Sequence, residues 1–303
     1  MKKLLFTLFA IFSLFLVGCE KQTIETKTQD NKPNQETLVT EKGKFTVDFK
    51  TNPTEVKAGE NTNLMFTVKN DKGETVKDLQ TVHEKPIHLL VVSDDLDEFY
   101  HLHPEVQADG IYKVSFDFPN GGNYKLYADF TPLDSAQVVQ NFPLKVSGTE
   151  RAKVALTADE KFEKTIDGLR VTMKPDAELA SNKELLLDFQ VSDAATNKPA
   201  TDLQPYLGAL AHFVVISQDL QEFVHAHPLS KDGMKEGEHS HDKMDEHQPN
   251  EKTMSGDATA TVSAHVTFPK AAIYKIFAQF QRNGKVITVP FIVNVKQGKV
   301  IVQ

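Results

Sequence analysis

From residue 44 onward the chain alternates apolar and polar side chains over short stretches. Residues 44–50, 63–68, 112–118 and 122–130 each set an apolar side chain at every second position, and Gly, Pro, Asn and Asp punctuate them. Period two is the signature of a strand with one face buried. No stretch shows a convincing helical stripe. About seven short strands in about 100 residues predict a Greek-key β-sandwich. The expected fold class is all-β, with immunoglobulin- or cupredoxin-like domains. The chain has no Trp and a single Cys, so a core of the antibody type is excluded.

The pattern occurs twice. The seventeen residues from His88 to Pro104 align without gaps on those from His212 to Pro228, and ten of the positions are identical. A second block, Phe118-Pro119 through Phe130, recurs as Phe268-Pro269 through Phe280, displaced by 26 residues more than the first. The surplus marks an insertion of about 231–256 in the second copy. It is rich in Gly, His, Lys and Glu, and long loops of this kind are either functional or disordered. The expected organisation is a β-sandwich at 42–148 followed by a second at 149–303.

Within each copy three histidines keep one spacing: His88, His101 and His103, then His212, His225 and His227. Residues two apart on a strand point to the same face, so His101 and His103 project together, as do His225 and His227. If the chain turns at 93–98 so that Val92 faces Phe99, His88 stands opposite His103, and the second copy closes in the same register. Opposed Cβ atoms lie about 5 Å apart, within reach for several imidazoles to share one ion. A slip of one residue would move His88 to the other face. Nitrogen ligands without thiolate suit copper or zinc. The competing reading is a set of structural histidines hydrogen-bonded within the sheet. No further ligand is common to both copies, since Asp129 aligns with Gln279 and His83 with Leu207. The insertion adds His239, His241 and His247 among Met and acidic residues, an accessory metal-binding tract.

The N-terminus changes the setting. Lys2 and Lys3 precede an apolar run over residues 4–16, too short to span a bilayer comfortably but suited to a secretory signal. The run ends in Leu16-Val17-Gly18-Cys19, which resembles a bacterial lipobox. That resemblance implies removal of a lipoprotein signal peptide, 1–18, and lipidation of Cys19. Residues 19–41 are polar and read as a flexible tether. Without Lys2 and Lys3, 32 of the 34 basic residues remain against 42 acidic ones, a net charge of −10. Such a balance argues against nucleic acid as a partner. The expected partners are a metal ion, the lipid bilayer through Cys19 on the outer face of a bacterial membrane, and a protein that receives the metal.

The His-x12-His-x-His-Pro hairpin, with the run Tyr206-Leu207-Gly208-Ala209-Leu210-Ala211 leading into its second copy, resembles YtkA-like secreted domains and related bacterial lipoproteins. The resemblance implies a metal-associated domain of cupredoxin- or immunoglobulin-like fold. The first copy departs from it, with Thr81-Val82-His83-Glu84-Lys85 in place of the Leu-Gly-Ala run. Three functions follow from these residues. The first is non-enzymatic binding of copper or another divalent metal for sequestration or handover. The second is a non-metal adhesion or scaffold module. The third, a superoxide-dismutase-like or hydrolytic metalloenzyme, lacks a general base shared by the copies and a second cysteine, so no enzyme activity is expected.

Overall fold

A computed structural model of the chain describes residues 45–226, 228 and 260–298. The expected signal segment 1–18, Cys19, the tether 19–41, His227, and the insertion 231–256 with His239, His241 and His247 lie outside the described residues, as does the side chain of His225.

Among the described residues all regular elements are strands. The first half contributes β1 (Thr46–Asn52), β2 (Val56–Lys57), β3 (Asn61–Lys69), β4 (Ile87–Ser93), β5 (Phe99–Leu102), β6 (Glu105–Val106), β7 (Tyr112–Asp117), β8 (Gly122–Phe130) and β9 (Val138–Ser147). They form one sheet in the order β1-β3-β7-β6 and a second in the order β2-β9-β8-β4-β5. The second half follows with β10 (Glu163–Ile166), β11 (Leu169–Pro175), β12 (Glu184–Asp193), β13 (Leu203–Gln204), β14 (His212–Ser217), β15 (Phe223–Ala226), β16 (Ala260–Thr267), β17 (Ala272–Arg282) and β18 (Lys285–Val295). Its sheets are β10-β11-β12-β16 and β13-β17-β14-β15, with β18 on the other side of β17. Each half is thus a two-sheet sandwich, as the alternation predicts.

Each sandwich closes over its own core. Leu64, Phe66, Leu89, Val91, Leu126 and Ala128 pack in the first, and Phe189, Phe213, Val215, Ile276, Ala278 and Phe291 in the second. Separate cores are what two independent domains require. The structure adds a third cluster that alternation alone does not predict: Leu90, Val92, Leu96 and Tyr127 of the first half pack against Val214, Ile216 and Phe277 of the second. Residues of β4 therefore divide by parity. Leu89 and Val91 face their own sandwich, whereas Leu90 and Val92 face the other one. This explains why β4 is buried at all seven positions and reads as a continuous apolar run.

Contacts across the seam recur with the roles of the halves exchanged. Lys125 Nζ donates to the Leu220 carbonyl at 2.6 Å, and Lys275 Nζ donates to the Leu96 carbonyl at 2.8 Å. Phe99 stacks on Phe277 at 4.0 Å, and Tyr127 stacks on Phe223 at 5.0 Å. Such reciprocity is the mark of an isologous interface, here built within one chain. The accepting carbonyls are set by the turns. Leu96 and Leu220 both hold positive φ, 58° and 59°. Ser93 Oγ donates to Asp95 and accepts from the Glu98 amide; Ser217, Asp219 and Glu222 repeat this arrangement. Five of the residues identical between the copies in the 93–99 stretch thus shape and dock a turn.

The connection between sandwiches is tied to the first one. Arg151 pairs with Asp95, Lys153 Nζ donates to Asp94 at 2.6 Å, and the Val154 amide donates to Asp95 at 2.9 Å. One asymmetry of the seam gives a direct test. Tyr127 OH donates to the Leu220 carbonyl at 2.8 Å, while its counterpart Phe277 has no hydroxyl. Tyr127→Phe keeps the ring and is expected to cost about 1 kcal/mol in urea unfolding. A variant as stable as the parent would show that this bond contributes nothing.

Candidate metal centre

The β4–β5 hairpin has the register the spacing predicts, with Leu89 opposite Leu102 and Val92 opposite Phe99. One step further along that register sets His88 opposite His103. In the second half Phe213 lies opposite Ala226 and Ile216 opposite Phe223, the equivalent pairing. His88 shares its face with Leu90 and Val92, so the histidine face of the first sandwich is the seam face.

Three side chains converge there. One ring nitrogen from each of His88, His101 and His103 lies within 4.8 Å of the others. His88 Nδ1 is 3.0 Å from His101 Nε2. The opposite nitrogens are anchored: His88 Nε2–H donates to the Val82 carbonyl at 2.9 Å, and His101 Nδ1–H donates to Gln279 Oε1 at 2.8 Å. Because a carbonyl oxygen can only accept, both ring protons point outward and both inward nitrogens present lone pairs. His103 Nε2 is buried and makes no hydrogen bond among the described residues. The two inward lone pairs of His88 and His101, 3.0 Å apart, repel one another unless a cation joins them. Outward N–H groups held by oxygen acceptors are the usual support of metal-bound imidazole. The donor set fits copper(II) or zinc(II).

Electrostatics keep the rings ready to ligate. Burial, the neighbouring His103 and His88 hold His101 down to about 3, against the acceptance of its proton by Gln279. Burial, then His88 and Lys85, hold His103 down to about 4. Burial likewise lowers His88. Neutral imidazole is the form that binds metal.

Four further residues reach the cluster. The His212 ring lies 5.7 Å from that of His88 and 5.1 Å from that of His101, centre to centre. His83 lies 6.2 Å from His88 and 5.5 Å from His212. Asp129, buried, pairs with His88 across β4 and β8, as Gln279 pairs with His212 across β14 and β17. The sequence sets aside Asp129, Gln279 and His83 because the copies differ at these positions, yet strand pairing brings Asp129 and Gln279 to the site, and the turn between Val82 and Lys85 brings His83. The signal available was the fixed step from each histidine to the matching strand position. His83 and Glu84 both hold positive φ, 49° and 65°, in the tight turn between Val82 and Lys85. Leu207 and Gly208 do the same between Tyr206 and Ala209. The departure of the first copy from the Leu-Gly-Ala run therefore leaves the backbone turn unchanged.

A protein-family profile described as "Domain of unknown function (DUF8832)" matches residues 40–148 and again 164–297. The chain belongs to that family, in tandem duplicate. No curated protein matches. Similar solved structures include the Escherichia coli adhesin FdeC, at 14% identity and a TM-score of 0.23, over 82% of this chain and 63% of that one. The Yersinia pseudotuberculosis adhesin InvE matches at 13% identity and a TM-score of 0.22, over 82% and 59%. A putative membrane-anchored protein from Corynebacterium diphtheriae matches at 12% and 0.22, over 84% and 59%. The chain thus spans less than two thirds of the length of these structures.

Proposed function

We propose that this chain is an extracytoplasmic lipoprotein, anchored through Cys19 to the outer face of a bacterial membrane, that binds copper or zinc for sequestration or handover to a protein partner. The observation that carries the metal reading is the convergence of the inward nitrogens of His88, His101 and His103 within 4.8 Å. The anchor rests on the lipobox-like Leu16-Val17-Gly18-Cys19, and the resemblance of the hairpin to YtkA-like secreted domains supports the same reading. The reading is of a binder rather than an enzyme. The buried carboxylate nearest the cluster, Asp129, already accepts from Gln137 Nε2 on both oxygens, at 2.7 and 2.8 Å, which suits balancing charge better than moving protons.

Titration calorimetry at neutral pH with Zn(II) and Cu(II) tests this reading. The full chain should bind saturably, and His103→Ala should weaken the seam site by 100-fold or more, since a three-nitrogen site loses a ligand. The second reading is a non-metal adhesion or scaffold lipoprotein, in which the histidines only pack and hydrogen-bond within the seam. Absence of saturable binding at the described histidines would favour it.

A further inference from the structure

We infer that the metal site is shared between the two sandwiches: His212 of the second half is the fourth nitrogen ligand of one tetrahedral centre with His88, His101 and His103. This rests on the metal reading above and deepens it.

Ring spacing is the first ground. A metal–nitrogen bond of about 2.0–2.1 Å puts each imidazole centre about 3.2 Å from the ion, and four at tetrahedral angles stand about 5.2 Å apart. The observed centre-to-centre distances are 5.2 Å for His88–His101, 5.2 Å for His88–His103, 4.8 Å for His101–His103, 5.1 Å for His101–His212 and 5.7 Å for His88–His212. These five of the six pairs lie within about 0.5 Å of the tetrahedral value; the sixth, His103–His212, stands farther apart and has to close as the ion binds. His88, His101 and His103 already bring one nitrogen each within 4.8 Å of the others, and the His212 ring has to turn to add the fourth.

The second ground is the seam. His88 and His212 are equivalent residues of the two halves, and they stack at an interplanar angle of 20°. Two separate dications anchored on rings this close would repel strongly in a desolvated interface unless a bridging ligand joined them. One ion between them resolves the conflict. The spacing of the histidines alone predicts two independent sites; packing of the halves points to one shared site in this cluster. Third, the halves differ where one ion would need them to. The first supplies the buried carboxylate Asp129 beside His88, offsetting the charge of the ion, and the second supplies neutral Gln279, which orients His101. Metal binding and docking of the sandwiches then favour each other, because separating the halves withdraws His212.

The test uses the full chain in detergent with His225, His227, His239, His241 and His247 replaced by Ala, and Co(II) as the probe. One equivalent should bind and give the intense visible bands of tetrahedral cobalt. Adding His212→Ala should weaken binding at least 10-fold and reduce band intensity. Unchanged affinity and spectrum in that variant would overturn the shared site while leaving the metal reading intact. No saturable binding in a natively folded background would instead overturn the metal reading itself. Should the substituted background fail to fold, 15N-histidine labelling of the unsubstituted chain decides the matter: Zn(II) must shift the ring nitrogens of His88, His101, His103 and His212 together. A His212 signal that stays in place refutes its role.

Discussion

Phe277→Ala is expected to cost about 3–5 kcal/mol and to split a single unfolding transition into two. The ring is 2% exposed and stacks on Phe99 at 4.0 Å and an interplanar angle of 12°. It belongs to the seam cluster and to neither sandwich core. Truncation leaves a void bordered by residues from both halves, which neither half can close by itself. Each core survives, so the loss falls on docking, and the two sandwiches should melt separately. Calorimetric scans against urea unfolding followed by two probes would show this. A double-mutant cycle with Phe99→Ala should return a coupling of about 0.5–1.5 kcal/mol for the stacked pair. If the variant unfolds in one transition and without coupling, the seam is a passive contact.

Metal-free protein is expected to lose stability on the order of 3 kcal/mol between pH 6.5 and pH 4. The direction follows from proton counts. Unfolded histidines titrate near pH 6.5, whereas burial holds His101 to about 3 and His103 to about 4 in the folded state. Between these values the unfolded chain binds more protons than the folded one, so acidification favours unfolding. The stability of the neutral cluster is therefore fully present above pH 6.5 and is lost as pH falls through the folded values. Urea midpoints measured across this range would report it. The double variant His101→Gln, His103→Gln should show a much shallower slope, since the groups responsible are gone. An unchanged slope would assign the acid sensitivity to carboxylates elsewhere. Added Zn(II) should steepen the dependence, because metal and protons compete for the same nitrogens.

Much of the architecture was legible along the chain. Period-two alternation at 112–118 and 122–130 marks β7 and β8, found at Tyr112–Asp117 and Gly122–Phe130. The duplication follows from identical residues. The hairpin register follows from the count between His88 and His103 together with the six-residue turn, because strand pairing is local and a slip would turn Leu89 and Val91 out of the core.

What the chain did not disclose was how the two halves meet. Alternation reports which face of a strand is buried, not what buries the other face. The apolar run of β4 was visible, but whether Leu90 and Val92 meet a third layer, a ligand or a second sandwich depends on surfaces more than 120 residues apart in sequence. The same limit applies to the site. Aligning the copies removes Asp129, Gln279 and His83 as unmatched, since alignment asks what the halves share. Packing the halves face to face instead makes their differences complementary, and brings His212 to within 5.1 Å of His101, ring centre to ring centre. Sequence determined the strands, their register and the histidines each hairpin presents. Tertiary structure decided that His212 confronts the histidine face of the first hairpin, because docking of two apolar sheet faces removes enough surface from water to hold them together.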